Sequence, residues 1–167
     1  STSFGSGQAG TLRVNAQDLI EIAGKNSITL SPSALASVTI NSGNAQDTFI
    51  NTSRLVIRDG GALGSVTVAT GSSGSVTINA SKSVDIQGGA AGSILPSSIF
   101  SSALIADPAT QAALGLPAIP TGNGGSLTIN TPSLRITDGA LLTVKNDGTG
   151  KAGDLLLNAN SIFLDNQ

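Results

Sequence analysis

A ten-residue motif, Gly-x-x-Gly-x-apolar-x-apolar-Asn-small, occurs four times, at residues 7–16, 71–80, 122–131 and 150–159. Self-similarity at long spacing marks a chain that stacks supersecondary units instead of folding around one globular centre. A second motif interleaves with it. Ile50-Asn51-Thr52-Ser53-Arg54-Leu55-Val56-Ile57-Arg58-Asp59-Gly60 matches Ile129-Asn130-Thr131-Pro132-Ser133-Leu134-Arg135-Ile136-Thr137-Asp138-Gly139, and both run on to Ala-Leu, at Ala62-Leu63 and Ala140-Leu141.

The asparagines set the register. Asn51 to Asn79 and Asn130 to Asn158 are each 28 residues apart, while Asn51 to Asn130 and Asn79 to Asn158 are each 79. Asn15 precedes Asn79 by 64, and the difference, 79 − 64 = 15, points to one insertion within residues 88–121. A coil of about 21 residues, three to a superrepeat, gives about seven coils and a rod roughly 30–40 Å long at ~4.8 Å per coil. Asn41, in Ser37-Val38-Thr39-Ile40-Asn41, resembles the motif but falls out of register, and spacing leaves the coil boundaries between Asn15 and Asn51 open.

Each unit reads as short strand. Leu127-Thr128-Ile129, Val76-Thr77-Ile78 and Leu134-Arg135-Ile136 place apolar residues two apart, so aliphatics share one face and Thr or Arg the other. Turn residues bound these segments: Gly10, Gly74, Gly125 and Gly153 in the first motif, Asp59-Gly60 and Asp138-Gly139 in the second. Gly and β-branched residues in every window argue against helix. Equivalent segments recur in one direction, so stacking them in register gives parallel strands and an all-β solenoid. Leu, Ile and Val then stack inside, and Asn15, Asn51, Asn79, Asn130 and Asn158 are candidates for a ladder of side-chain amides.

Composition fits such a stack. Aromatics are 2% and charged residues 11%, too few for aromatic anchors in a thick core. Abundant Val, Ile and Thr with a net charge of −2 argue against disorder despite 21 glycines. A pI near 4.7 offers nucleic acid no basic patch. No apolar run is long enough for a transmembrane segment. No signal peptide is visible, and the chain reads as part of a longer, processed protein with no polar cap at Leu164-Asp165-Asn166-Gln167. The stretch 88–121 differs, with Pro96, Pro108, Pro117 and Pro120 and a short helix expected near Pro108–Leu114 ahead of Gly115. It is expected to protrude as a loop.

Chemistry finds few tools here. His, Cys and Tyr are absent, so the usual bases and nucleophiles are missing and no catalytic residue is assigned. Polysaccharide-cleaving enzymes use paired acids. Asp59 and Asp138 are equivalent repeat positions, as are Glu21 and Asp85, but a recurring residue followed by Gly reads as a turn. No calcium-loop pattern occurs, and no metal or cofactor is expected. Ser37-x-Thr39, Ser65-x-Thr67, Ser75-x-Thr77 and Ser126-x-Thr128 invite an ice- or sugar-binding reading. Their uneven spacing of 28, 10 and 51 residues, and the absence of Trp and Tyr, favour solvent-facing strand residues.

The opening Ser1-Thr2-Ser3-Phe4-Gly5-Ser6-Gly7-Gln8-Ala9-Gly10, the Gly-Asn-Gly-Gly-Ser-Leu-Thr-Ile-Asn-Thr run at 122–131 and Leu-x-Ile-x-Asp-Gly-Ala-Leu at 134–141 resemble repeats of filamentous-haemagglutinin-type exoproteins, above all the long repetitive cyanobacterial versions. The resemblance spans nearly the whole chain outside the insertion. It implies a right-handed parallel β-helix, two-partner secretion, and a place at the bacterial cell surface or in an extracellular filament. The expected function is a non-catalytic shaft acting in adhesion, aggregation or fibre formation. Its partners would be further coils or copies of itself, stacked end to end or laterally, with a cell-surface or matrix partner. The competing reading is a binding module that meets a surface glycan or protein through the 88–121 loop, and a polysaccharide-cleaving enzyme ranks last.

Overall fold

The computed structural model describes residues 1–26, 28–29, 31–89 and 96–165. Its elements in chain order are β1 (Thr2–Ser3), β2 (Leu12–Asn15), β3 (Leu19–Ala23), β4 (Ala34–Thr39), β5 (Thr48–Arg58), β6 (Ala62–Thr67), β7 (Val76–Gln87), β8 (Ser98–Ala103), α1 (Pro108–Leu114), β9 (Leu127–Thr137), β10 (Leu141–Asn146) and β11 (Leu155–Asp165). The chain is mostly β, with two parallel sheets. A short-strand sheet runs β1-β4-β6-β8-β10, and a long-strand sheet runs β11-β9-β7-β5-β2 with β3 also on β5. The chain alternates between the sheets, so each circuit adds one rung to both.

The circuit is longer than the spacing suggests. Ala34 pairs with Ala62, Thr48 with Val76 and Leu127 with Leu155, all 28 residues apart. Asn15 pairs directly with Asn51, 36 residues on, so one superrepeat is two coils, 28 + 36 = 64. The expected 21-residue coil fails because Leu127-Thr128-Ile129 and Leu134-Arg135-Ile136 are two halves of one strand, β9, and not rungs of different coils. Five rungs in each sheet span roughly 19 Å at ~4.8 Å per step, shorter than the expected rod. Leu63 aligns with Leu142 through Ile99, which turns Leu141 outward and shifts the Ala-Leu match by one residue.

The segment 88–121 is not a single protruding loop. Its residues 98–103 form β8, in register with β6 and β10. The 15-residue excess lies between Leu104, whose N–H donates to Thr67 O, and Thr121, whose N–H donates to Ala69 O. Residues 90–95 and the end positions 166–167 lie outside the described residues. Within the excursion, α1 has Pro in its first turn, Asp107 as N-cap and Gly115 as a left-handed C-cap. Thr110 donates its side-chain hydroxyl and its backbone N–H to the Asp107 carboxylate, which holds that carboxyl below its ordinary pKa. A lowered folded pKa means that the cap helps above the ordinary carboxylate range and is lost as pH falls through the lowered value.

One aliphatic core lies between the sheets. Ile50, Ile78 and Ile129 form one inward column, Leu55, Val84 and Leu134 another, and Leu63 and Ile99 meet them from the short-strand sheet, all at most 1% exposed. Stacking similar side chains on successive rungs fills a narrow interior without large aromatics.

Ser37, Thr39, Ser65 and Thr67, expected to face solvent, are fully buried. Three of the four find carbonyl or N–H partners at the turn between sheets, while the Ser37 hydroxyl is buried without one. Thr39 donates to Gly43 O, Thr67 donates to Gly71 O at 2.5 Å, and Ser65 accepts from Gly74 N at 2.8 Å. Ser3, one rung earlier, donates in the same way to Gly7 O. Thr77 and Thr128 remain on the outer side, half-buried.

Asp59 and Asp138 do occupy left-handed turns, at φ 55° and 56°, each followed by a positive-φ glycine. A short polar side chain tolerates that conformation and a β-branched one does not. Asp138→Val should therefore cost about 1–2 kcal/mol in thermal or urea unfolding, with Asp138→Gly near neutral.

Candidate functional site

The feature that recurs on every rung of the long-strand sheet is the asparagine column. Asn15, Asn51, Asn79, Asn130 and Asn158 are successive register partners. Each amide donates to the one before it: Asn51 Nδ2 to Asn15 Oδ1 at 2.8 Å, Asn79 to Asn51 at 2.9 Å, Asn130 to Asn79 at 2.8 Å and Asn158 to Asn130 at 2.7 Å. An amide both donates and accepts, so identical residues form a continuous chain only when every rung is in register. The ladder ends a run of inward aliphatics where the strand turns a corner. Thr52 and Thr131, next in sequence, donate their hydroxyls to Arg54 O and Ser133 O and hold that corner. Asn79→Ala removes two ladder bonds at an exposed site and should cost about 1–2 kcal/mol. Asn160→Ala, outside the ladder, should leave the melting temperature unchanged.

The motif glycines have a different purpose from the one expected. Among the described glycines, positive φ occurs at Gly24, Gly60, Gly115 and Gly139, and not at Gly10, Gly74, Gly125 or Gly153. Instead, a Cβ on Gly74 would strike Gln46 O, one on Gly125 would strike Gly74 O, and one on Gly153 the Gly125 carbonyl. Gly10 begins that column on the first coil, where a Cβ would meet only Ser1 Oγ, at 3.6 Å. A parallel column runs through Gly43, Gly71, Gly122 and Gly150, each seated on the carbonyl of a glycine one coil earlier. The Gly-x-x-Gly pair is thus the place where stacked backbones touch.

Beside the amide ladder lies a trough of about 440 Å³, lined by Asn51, Asn79, Asn130, Thr131 and Pro132 among others. It offers hydrogen-bond donors and acceptors and no ionisable side chain, so it can recognise polar groups but carries no acid or base.

The carboxylates weighed as an acid pair sit elsewhere. Asp59 pairs with Arg58, whose Nε also donates to Glu21 Oε1 at 2.7 Å. The hydrogen bond and charge of Glu21, then those of Asp59, push the Arg58 pKa up. Asp85 accepts from Ser83 Oγ at 2.8 Å. Asp59 and Asp138 lie two rungs apart, roughly 10 Å by rung spacing, and their backbone angles assign them to turns. No protein-family model matches this chain, and no curated protein or solved structure matches it either. Among the described residues there is no cluster of three or more His, Cys, Asp or Glu able to hold a metal, and no helix is long and apolar enough to cross a membrane. Across rungs, Arg13 lies 4.2 Å from the Phe49 ring centre and Arg135 lies 4.6 Å from that of Phe163, so even the outer face is organised by register.

Proposed function

We propose that the chain is a shaft segment, a right-handed parallel β-helix belonging to a secreted filament or adhesin of the filamentous-haemagglutinin type at a bacterial surface, without catalytic activity. The observation that carries this reading is the unbroken asparagine ladder over all five long-strand rungs. Together with the glycine columns, it spends the repeated residues on holding identical coils in register, which gives rigidity along the stack. The partners are further coils or copies of the same repeat and a surface or matrix component. On β11 the inward positions Leu155 and Ile162 are 45% and 47% exposed, whereas Leu127 and Leu134, their counterparts on β9, are at most 1%; Leu164 is 69% exposed opposite the partly buried Ile136. Another coil on that edge would bury them and pair its free backbone groups.

A second reading has its own observation. Ile105, Leu114 and Ile119 are about half exposed on the 104–121 excursion, an apolar display that a binding loop would use. Excising residues 105–119 removes the 15 extra residues and restores a 28-residue coil between Leu104 and Pro120. Beads coated with the intact and the excised chain should aggregate and attach to bacterial surfaces equally if the chain is shaft. Loss of attachment with retained melting temperature would overturn the shaft reading in favour of the loop.

A further inference from the structure

The two sheets differ in what they show to the outside. The long-strand sheet turns Arg13, Glu21, Arg58, Asp85 and Arg135 outward. On the short-strand sheet, β4, β6, β8 and β10 turn outward small or apolar residues and a single ionisable one, Lys145. A parallel sheet with an uncharged outer face normally has that face covered.

The face is also concave. A groove of about 420 Å³ runs over Ala34, Ala62, Ser98 and Leu141 on four successive rungs, then along β8 and β10 past Phe100 to Ser102 and Lys145. Pro32, Pro96 and Leu104 line its sides. Pro32 and Pro96 are 64 residues apart and come from the two longer of the links that lead from the long-strand to the short-strand sheet, so the superrepeat itself builds both walls.

The one charged side chain of the lining, Lys145, lies at one end. Lys145 and Ser102 are register partners on adjacent strands and both line the groove. Ser102 is 1% exposed, and its Oγ has no hydrogen-bond partner among the described residues. Ser37 and Thr48 carry buried, unpartnered hydroxyls in the same way, so Ser102 Oγ by itself marks no ligand, and at 1% exposure it is closed off from the groove by its neighbours. Lys145 Nζ spends one donor on Asp147 Oδ2 at 2.9 Å and keeps two.

We propose that this groove binds a long-chain aliphatic carboxylate. The tail lies on Ala34, Ala62, Leu141 and Phe100, and the carboxylate accepts from Lys145 Nζ. A sugar would leave most of its hydroxyls unpaired on such a lining. A flat sheet from a second copy would meet Pro32, Pro96 and Leu104 before it reached the floor, whereas a single aliphatic chain reaches it. Each methylene buried raises affinity about fourfold, so chain length should matter until the groove is full. The proposal is independent of the shaft reading.

The test is titration of the whole chain with laurate, myristate and palmitate below their micellar concentrations, with hexadecanol as the uncharged control. Saturable 1:1 binding that tightens with chain length is expected, with palmitate well ahead of hexadecanol. Lys145→Gln should weaken palmitate about tenfold and leave hexadecanol unchanged. Ser102→Ala, whose hydroxyl is closed off from the groove, should leave palmitate affinity unchanged while the melting temperature holds or rises, because it removes an unpaired buried hydroxyl. Ala34→Trp, at an exposed position, should block the tail end and abolish binding of both ligands. No saturable palmitate binding, equal affinity for the alcohol, or indifference to Ala34→Trp and Lys145→Gln would each overturn the proposal. Dimers in sedimentation that palmitate does not disperse would also overturn it, by showing that a second copy covers the face.

Discussion

Gly71→Ala should destabilise the chain by about 3 kcal/mol or more, a fall in melting temperature of roughly 10 °C for a chain of this length. The added methyl carbon would land on the carbonyl of Gly43, one coil below, and also crowd Asn41 O. Both obstacles are backbone, so no rotamer change makes room, and relief requires the two rungs to move apart. The loss would come from steric contact alone, because Gly71 is not among the positive-φ glycines. Gly5→Ala is the matched control: nothing lies within 4 Å of its added carbon, and it should melt like the parent. Equal melting of the two variants would remove the glycine columns from the explanation of the stack.

Ile78→Ala should cost about 3–4 kcal/mol in urea unfolding. Ile78 is fully buried between Ile50 and Ile129 in the inward column of the long-strand sheet. Truncation there leaves a void whose walls are held by hydrogen-bonded rungs above and below, so collapse is limited and the cavity term stays large. Leu164→Ala deletes a similar side chain at the inward position of the last strand, where it is 69% exposed, and should change stability by less than ~0.5 kcal/mol. A small effect at Ile78, comparable with that at Leu164, would mean that the column is not a packed core.

Much of this architecture is legible in the sequence, and the reason is register. The distances between asparagines specify which residues face each other, and an amide can satisfy another amide only at that distance. The parallel sense of the strands and the Asp59 and Asp138 turns follow from the same repeats. Coil length is not legible, because a strand that bends at a corner, such as β9, presents two alternating segments that look like two rungs.

Polarity misleads for the short-strand sheet. Ser37, Thr39, Ser65 and Thr67 lie inside, where turn carbonyls and N–H groups accept or supply the hydrogen bonds of all but Ser37, and Val38 and Val66 lie on the outer side. A three-residue Ser-Val-Thr segment has no phase of its own until those turn partners are placed. The groove is hidden for the same reason, since its floor consists of residues whose side of the sheet depends on that phase. The motif glycines are visible as a pattern, but their cause, contact between stacked backbones, requires the stack.

Cryo-electron microscopy of the natively produced protein that carries this chain is the most direct test. Continuous rods with an axial repeat near 4.8 Å, two parallel sheets in cross-section and the asparagine column traceable from rung to rung would be the predicted result. A compact particle without that repeat, or strands running antiparallel across Asn51, Asn79 and Asn130, would contradict the shaft and the ladder together.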